Sequence, residues 1–300
     1  MNLMTRLNRN LNFRSKTKID RFGFARPAWI TAVVFLLALS ALPSVSVLHA
    51  QDTLQARDAD AVEADTQPNA DGDRPRPNEK ARKTYLGRVL AQPMSHLGAS
   101  WLIRPERDEE ERASESFQQL KLVKGMTVCD LGCGNGYWTL PMARDVGEEG
   151  KVLAVDIQRE MLQKLRARSA RVNLNNIQPV LGKVDDPNLP AGEVDLLLMV
   201  DVYHEFSHPE SMLWGIRRSL KPEGVVALLE YREEDPSVPI KPLHKMSKTQ
   251  IMKEYSANGF KLVREYNSLP WQHLMFFARD DSPLPEIEPV PAQQVLEDLE

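Results

Sequence analysis

The sequence predicts an α/β fold, a doubly wound sheet with helices on both faces, and three observations lead there. Between residues 84 and 280, seven short apolar runs alternate with amphipathic stretches, the pattern of repeated strand–helix–strand units with right-handed crossovers. Each run is continuously apolar, as in strands covered on both faces. A glycine-rich turn joins the first run to the next helical stretch, and ligands of such sheets gather at the carboxyl ends of the strands.

The elements follow in order. Residues 84–120 combine an aromatic-bearing loop around His96, Trp101 and Arg104 with a charged helix from about Glu106. The segment has two readings, packing on a sheet face or a lid over the site; packing is expected for the helix, and the loop is open to either. The strands are "MTVCDL" (126–131), "KVLAVD" (151–156), "IQPVL" (177–181), "VDLLLMV" (194–200), "VVALLEY" (225–231), "FKLVREY" (260–266) and "QHLMFFA" (272–278). Helices are expected over roughly 136–146, 158–172, 209–220 and 247–258, with Gly224 and Gly259 as stop signals after the last two. The long connection "LEYREEDPSVPIKPLHKMS" hangs over the strand ends and offers Glu230, Tyr231, Arg232, His244 and Lys245 as polar candidates. His273 is expected to be a sheet residue.

The ends of the chain differ in composition. Residues 1–50 place seven basic side chains before the apolar run "AWITAVVFLLALSAL" and a small-residue stretch ending at Ala50, the order of a signal peptide or an uncleaved membrane anchor. Either would put the main domain on the far side of a membrane, exported or membrane-anchored. Residues 51–83 are rich in Asp, Ala, Pro and Arg and are expected to form a disordered linker, and 281–300 a disordered tail. That leaves 84–280 as one catalytic-sized domain. A net charge of −4 and a pI near 6.0 provide no basic field, so no nucleic acid partner is expected. The two cysteines, Cys129 and Cys133, lie in one turn and make no disulfide framework.

The turn "VCDLGCGNGYW" puts Asp130 at a strand end and Gly132, Gly134 and Gly136 at alternate positions, where backbone approaches a ligand closely. A dinucleotide fingerprint requires glycine at 137, where Tyr137 stands. The D-x-G-x-G-x-G pattern resembles motif I of the class I S-adenosylmethionine-dependent methyltransferases, and the resemblance extends over roughly residues 120–280. It implies a Rossmann-like seven-stranded sheet, mostly parallel, with a C-terminal antiparallel hairpin. It also implies S-adenosylmethionine as cofactor, held by Asp130, Gly132, Gly134 and Gly136, with Asp156 on the ribose hydroxyls and Asp185 on the adenine amino group. The expected activity is methyl transfer to a small-molecule acceptor; the alternative is a non-catalytic module of the same fold. An exported domain would meet little of a cofactor made inside cells, and the sequence leaves that tension standing.

The stretch "HEFSH" (204–208) matches the two-histidine zinc-protease signature. That signature needs both histidines on one helix. Here Pro209 and a Ser207–Glu210 capping box place the helix start between them, so no metal is assigned. In the resemblance, His204 and Glu205 lie beside the transferable methyl and are the catalytic candidates, His204 first as general base.

Overall fold

The computed structural model describes residues 76–299. The expected signal or anchor and residues 51–75 of the expected linker lie outside the described residues. Among the described residues, no helix is long and apolar enough to cross a membrane.

Seven strands make one sheet: β1 (Thr127–Leu131), β2 (Lys151–Asp156), β3 (Ile177–Leu181), β4 (Val194–Val200), β5 (Leu220–Tyr231), β6 (Phe260–Tyr266) and β7 (Gln272–Arg279). Their order is β3-β2-β1-β4-β5-β7-β6. The pairings of β1 to β5 are all parallel, and β7 runs antiparallel to both its neighbours. The sheet is therefore mostly parallel with a closing hairpin, as expected. The direction of strand order reverses between β1 and β4, which opens a crevice at their carboxyl ends.

Side chains of the central strands alternate between two cores. Cys129, Leu131, Leu153, Val155, Leu197, Met199, Val226 and Leu228 point one way, into a layer with α5 (Pro209–Ser219) and α6 (Lys248–Ala257). Val128, Val152, Leu196, Leu198, Ala227 and Leu229 point the other way, toward α2 (Ala113–Gln119) and α3 (Thr139–Val146). On that second face, Leu162 and Leu165 of α4 (Arg159–Arg171) pack on Ala154. Both faces are thus covered, which accounts for runs without a polar face.

Several boundaries moved for physical reasons. The charged helix from Glu106 splits into α1 (Arg107–Glu111) and α2, because Arg112 takes a left-handed φ of 51°. Gly259 follows α6 with a φ of 78°, the expected stop. Gly224 does not stop α5, which ends at Ser219. It lies inside β5, where an added Cβ would sit 2.5 Å from the Val194 carbonyl oxygen, beside an irregular register between Val194 and Leu196. The capping box also fails: Ser207 Oγ meets His208 Nδ1 at 2.9 Å, and Glu210 pairs with Arg82 at 2.9 Å. A carboxylate from before the domain does the capping instead, the Ser211 amide donating to Glu79 Oε2 at 2.8 Å.

The ends expected to be disordered differ from that expectation where they are described. Residues 76–83 lie against α5, with the Arg82 amide donating to the Ser207 carbonyl. In the closing stretch, the Ile287 amide donates to Leu262 O and Lys248 Nζ donates to Val290 O at 2.7 Å. It ends in α7 (Ala292–Leu299), whose Val295 is buried. Apolar groups spaced through a proline-rich stretch suffice to dock it on the β6 edge.

Candidate active site

A cavity of about 630 Å³ lies at the carboxyl ends of β1, β2 and β4, within the usual range for a small-molecule site. The first turn forms its floor. Gly132 and Gly134 have φ values of 76° and 52°, a conformation that side chains disfavour. A Cβ on Gly132 would lie 2.6 Å from Val202 Cγ2, and one on Gly134 2.6 Å from Leu102 Cδ1. Backbone can pass there and little else can.

Asp130 and Asp156 both line the cavity. Thr139 Oγ1 donates to Asp130 Oδ2 at 2.5 Å. Burial, aided by the Asp156 charge, pushes the Asp130 carboxyl up to about 6, against the pull of the Thr139 hydrogen bond. Asp156 Oδ2 accepts from the Gly134 amide at 2.9 Å and Oδ1 from the Gln158 amide at 2.8 Å. Each carboxylate oxygen keeps a further lone pair. Burial raises its pKa, and these amides work against that rise.

Two of the expected cofactor residues are elsewhere. Gly136 does not line the cavity; a Cβ there would lie 2.4 Å from Leu165 Cδ1, so this glycine lets α4 pack against the turn. Asp185 also lies outside the cavity, partly exposed, with Arg76 paired to it at 3.4 Å and to Asp186 at 3.2 Å. Its neighbours Gly182, Lys183 and Val184 line the wall instead. A sharp turn, in which Asp186 Oδ1 accepts from the Asn188 amide, carries the acid outward.

The loop around Trp101 covers the cavity. Gln158 Nε2 donates to Met94 O at 2.8 Å, Gln158 Oε1 accepts from the His96 amide at 2.7 Å, and Asn135 Nδ2 donates to Ala99 O at 2.7 Å. Trp101 and Leu102 reach the cavity, while Arg104 stacks on Trp101 at 4.0 Å. Of the two readings, the lid over the site fits this position, since Trp101 and Leu102 line the cavity.

His204 and Glu205 sit at the other end. His204 is buried, its Nδ1 2.6 Å from Glu230 Oε2 and its backbone amide donating to Glu230 Oε1 at 3.2 Å. Burial works against the imidazolium, but the Glu230 carboxylate outweighs it and raises the pKa above the ordinary histidine value. His204 Nε2 faces His244 Nδ1 at 3.0 Å. Burial pushes the Glu205 carboxyl up to about 7, and its Oε1 accepts from the Met94 amide at 3.1 Å. Arg88 anchors the backbone, donating to His204 O at 2.9 Å while bound through two nitrogens to Glu254. His208 is turned away, as expected from Pro209, and meets only Ser207 among these groups.

Of the polar candidates at the end of β5 and after it, Tyr231 and His244 line the cavity and Glu230 supports His204. Arg232 is fully buried and donates to the carbonyls of Leu269, Pro270 and Gln272, a structural post. Lys245 holds the Asp235 carbonyl. His273 is buried in β7 and pairs with Glu234 at 2.9 Å. One group was not foreseen: Arg107 and Asp201 both line the cavity, joined to Glu111 and Tyr231 in a buried charged network. A strand-end acid at 201 was the one visible signal.

Residues 122–275 match the family model described as "Methyltransferase domain". The chain is 26% identical over 125 residues to a demethylmenaquinone methyltransferase of Listeria monocytogenes, covering 42% of this chain and 52% of that one. It is 31% identical over 104 residues to a nocamycin O-methyltransferase of Saccharothrix syringae, covering 35% and 37%. The chain thus spans about half the length of the first of these relatives and less of the second. Among solved structures, a SAM-dependent methyltransferase from Aquifex aeolicus has the same fold, with a TM-score of 0.58, 24% identity and coverage of 62% of this chain and 98% of that one.

Proposed function

The chain belongs to the class I S-adenosylmethionine-dependent methyltransferase family, and from that premise we propose that it transfers a methyl group to a small-molecule acceptor bound beside His204 and Glu205. The observation that carries this reading is one cavity with Asp130, Asp156 and the glycine turn at one end and a histidine–carboxylate cluster at the other. The fit to S-adenosylmethionine rests on donor and acceptor chemistry. Asp130 provides a charge for the α-amino group, Asp156 keeps lone pairs for two ribose hydroxyls, and the turn leaves backbone where side chains would clash. Lys183 and Val184 offer a wall for the adenine.

Bound there, S-adenosylmethionine supplies a methyl carbon on a positively charged sulfur, already activated for displacement. The residues of the chain orient the partners and exclude water, and orientation alone lowers such barriers by up to ~7–11 kcal/mol. Trp101 and Leu102 close the cavity. In its neutral form His204, held by Glu230 through Nδ1, keeps a lone pair on Nε2 that can take the acceptor proton, directly or through His244 at 3.0 Å. The test is transfer of a labelled methyl group from S-adenosylmethionine to small molecules of a cell extract. A labelled product supports the reading, and tight binding with no transfer to any fraction would favour a non-catalytic module.

Binding is expected to depend on pH through Asp130. Its raised pKa means that the charged form is complete well above about 6 and is lost below it. Affinity for S-adenosylmethionine should therefore fall toward roughly tenfold per pH unit below about 6. Titration calorimetry across that range checks it, and a flat profile would remove Asp130 from the amino group.

A further inference from the structure

We propose that His204, Glu205 and His244 bind a divalent transition-metal ion of the zinc or cobalt kind, whose open positions take an oxygen of the methyl acceptor. The second clause rests on the methyltransferase reading of the cavity, with the bound ion rather than the His204 lone pair then activating the acceptor oxygen; the ion site itself does not.

One ligand atom from each of the three residues lies within 4.8 Å of the others, and all three residues line the cavity. The two imidazole nitrogens suit an ion after a small adjustment, and Glu205 has a carboxylate oxygen within 4.8 Å of both. Nitrogens bonded to one tetrahedral zinc at ~2.0–2.1 Å stand about 3.3 Å apart, against the 3.0 Å between His204 Nε2 and His244 Nδ1. Two imidazole nitrogens at hydrogen-bond distance must share a proton between them, and an ion would take that proton's place. The rings stand nearly perpendicular, at 88°, so the ion need not force them out of a stack.

The support behind the ligands points the same way. His204 Nδ1 is held at 2.6 Å by a carboxylate that is itself fully buried, the carboxylate–histidine pairing that fixes tautomer and ring direction in metal sites. Nε2 is thereby left as the lone-pair nitrogen facing the cavity. Glu205 spends one oxygen on the Met94 amide and keeps the other. Two imidazoles with one carboxylate select zinc, cobalt, nickel, copper or iron over magnesium or calcium. Three protein ligands also leave a position open, unlike a closed four-ligand structural site.

HEFSH thus carries ligands in a different pairing from the one its letters suggest. His208 is replaced as partner by His244, forty residues away, from the Pro242–His244 turn between β5 and α6. Sequence spacing could not reveal this.

The test uses the full, untagged chain, stripped with a chelator and titrated with Co²⁺ while its visible absorption is recorded. The expected result is one ion per chain, with the intense bands of four- or five-coordinate cobalt, displaced by Zn²⁺. His204→Ala removes a buried ring and endangers the fold, so the informative variant is His244→Ala, on a partly exposed turn. That variant should lose the bands, while His208→Ala should keep them. Weak bands of six-coordinate aqueous cobalt alone, or full binding by His244→Ala, would overturn the site. S-adenosylmethionine titrated into the same preparation separates the two readings. Heat with that compound but no cobalt bands defeats the metal site alone, whereas bands without heat keep the site and defeat the methyltransferase reading.

Discussion

Asp156→Ala is expected to weaken S-adenosylmethionine binding by at least about 100-fold. A charged acceptor contributes roughly 1.5–3 kcal/mol per hydrogen bond, and two ribose hydroxyls make two. At about 1.4 kcal/mol per factor of ten, the lower sum already gives that loss. A second cost adds to it, because Asp156 also holds the Gly134 and Gln158 amides that shape the turn and start α4. Asp156→Asn keeps one acceptor oxygen and should fall between the alanine variant and the parent. Calorimetry on folded protein, with the far-ultraviolet spectrum as control, measures both. Alanine binding within threefold of the parent would place the ribose elsewhere.

The largest effect on stability is expected from Glu111→Ala. Glu111 is 1% exposed, and its carboxylate accepts from Arg104 at 2.6 Å, Arg107 at 2.8 Å and the Tyr231 hydroxyl at 2.8 Å. Removing it leaves Arg107, itself 3% exposed, with Asp201 at 3.8 Å as its remaining charged partner among the described residues. Breaking a buried pair from one side typically costs about 3–5 kcal/mol. For a domain of this size, that is a fall of roughly 6–20 °C in Tm. Glu111→Gln keeps an acceptor for one donor and should lose less. A fall under about 2 °C for the alanine variant would mean that water or another acid takes over the arginines. The network also joins the helix before the sheet to the cavity wall through Asp201 and Tyr231, so the same variant should loosen the acceptor end.

Much of this was legible in the sequence, and the reason is local. Strands β2, β3, β4 and β6 begin and end where the apolar runs do, because each run is bounded by residues that cannot continue it. Asp130 and Asp156 could be placed for the same reason: a strand end fixes where its last one or two side chains go. What escaped depends on distant chain. Asp185 is one residue past the wall, and the turn at Asp186 with the pull of Arg76 decides its direction. Ser207 and Glu210 have capping-box spacing, but Glu79 reaches the free Ser211 amide and Arg82 takes Glu210. The pairing of His204 with His244 requires the long connection after β5 to fold back over the β4 end. The closing stretch reads as disordered by composition, yet Ile287 and Val295 give it enough apolar surface to dock.

The central claim is that Asp130, Asp156 and the glycine turn form a seat for S-adenosylmethionine. Titration calorimetry of the full chain with S-adenosylmethionine and with its demethylated product tests it most directly. The account predicts saturable binding of both, one molecule per chain, and its loss in Asp156→Ala. Folded protein that takes up neither compound would contradict it.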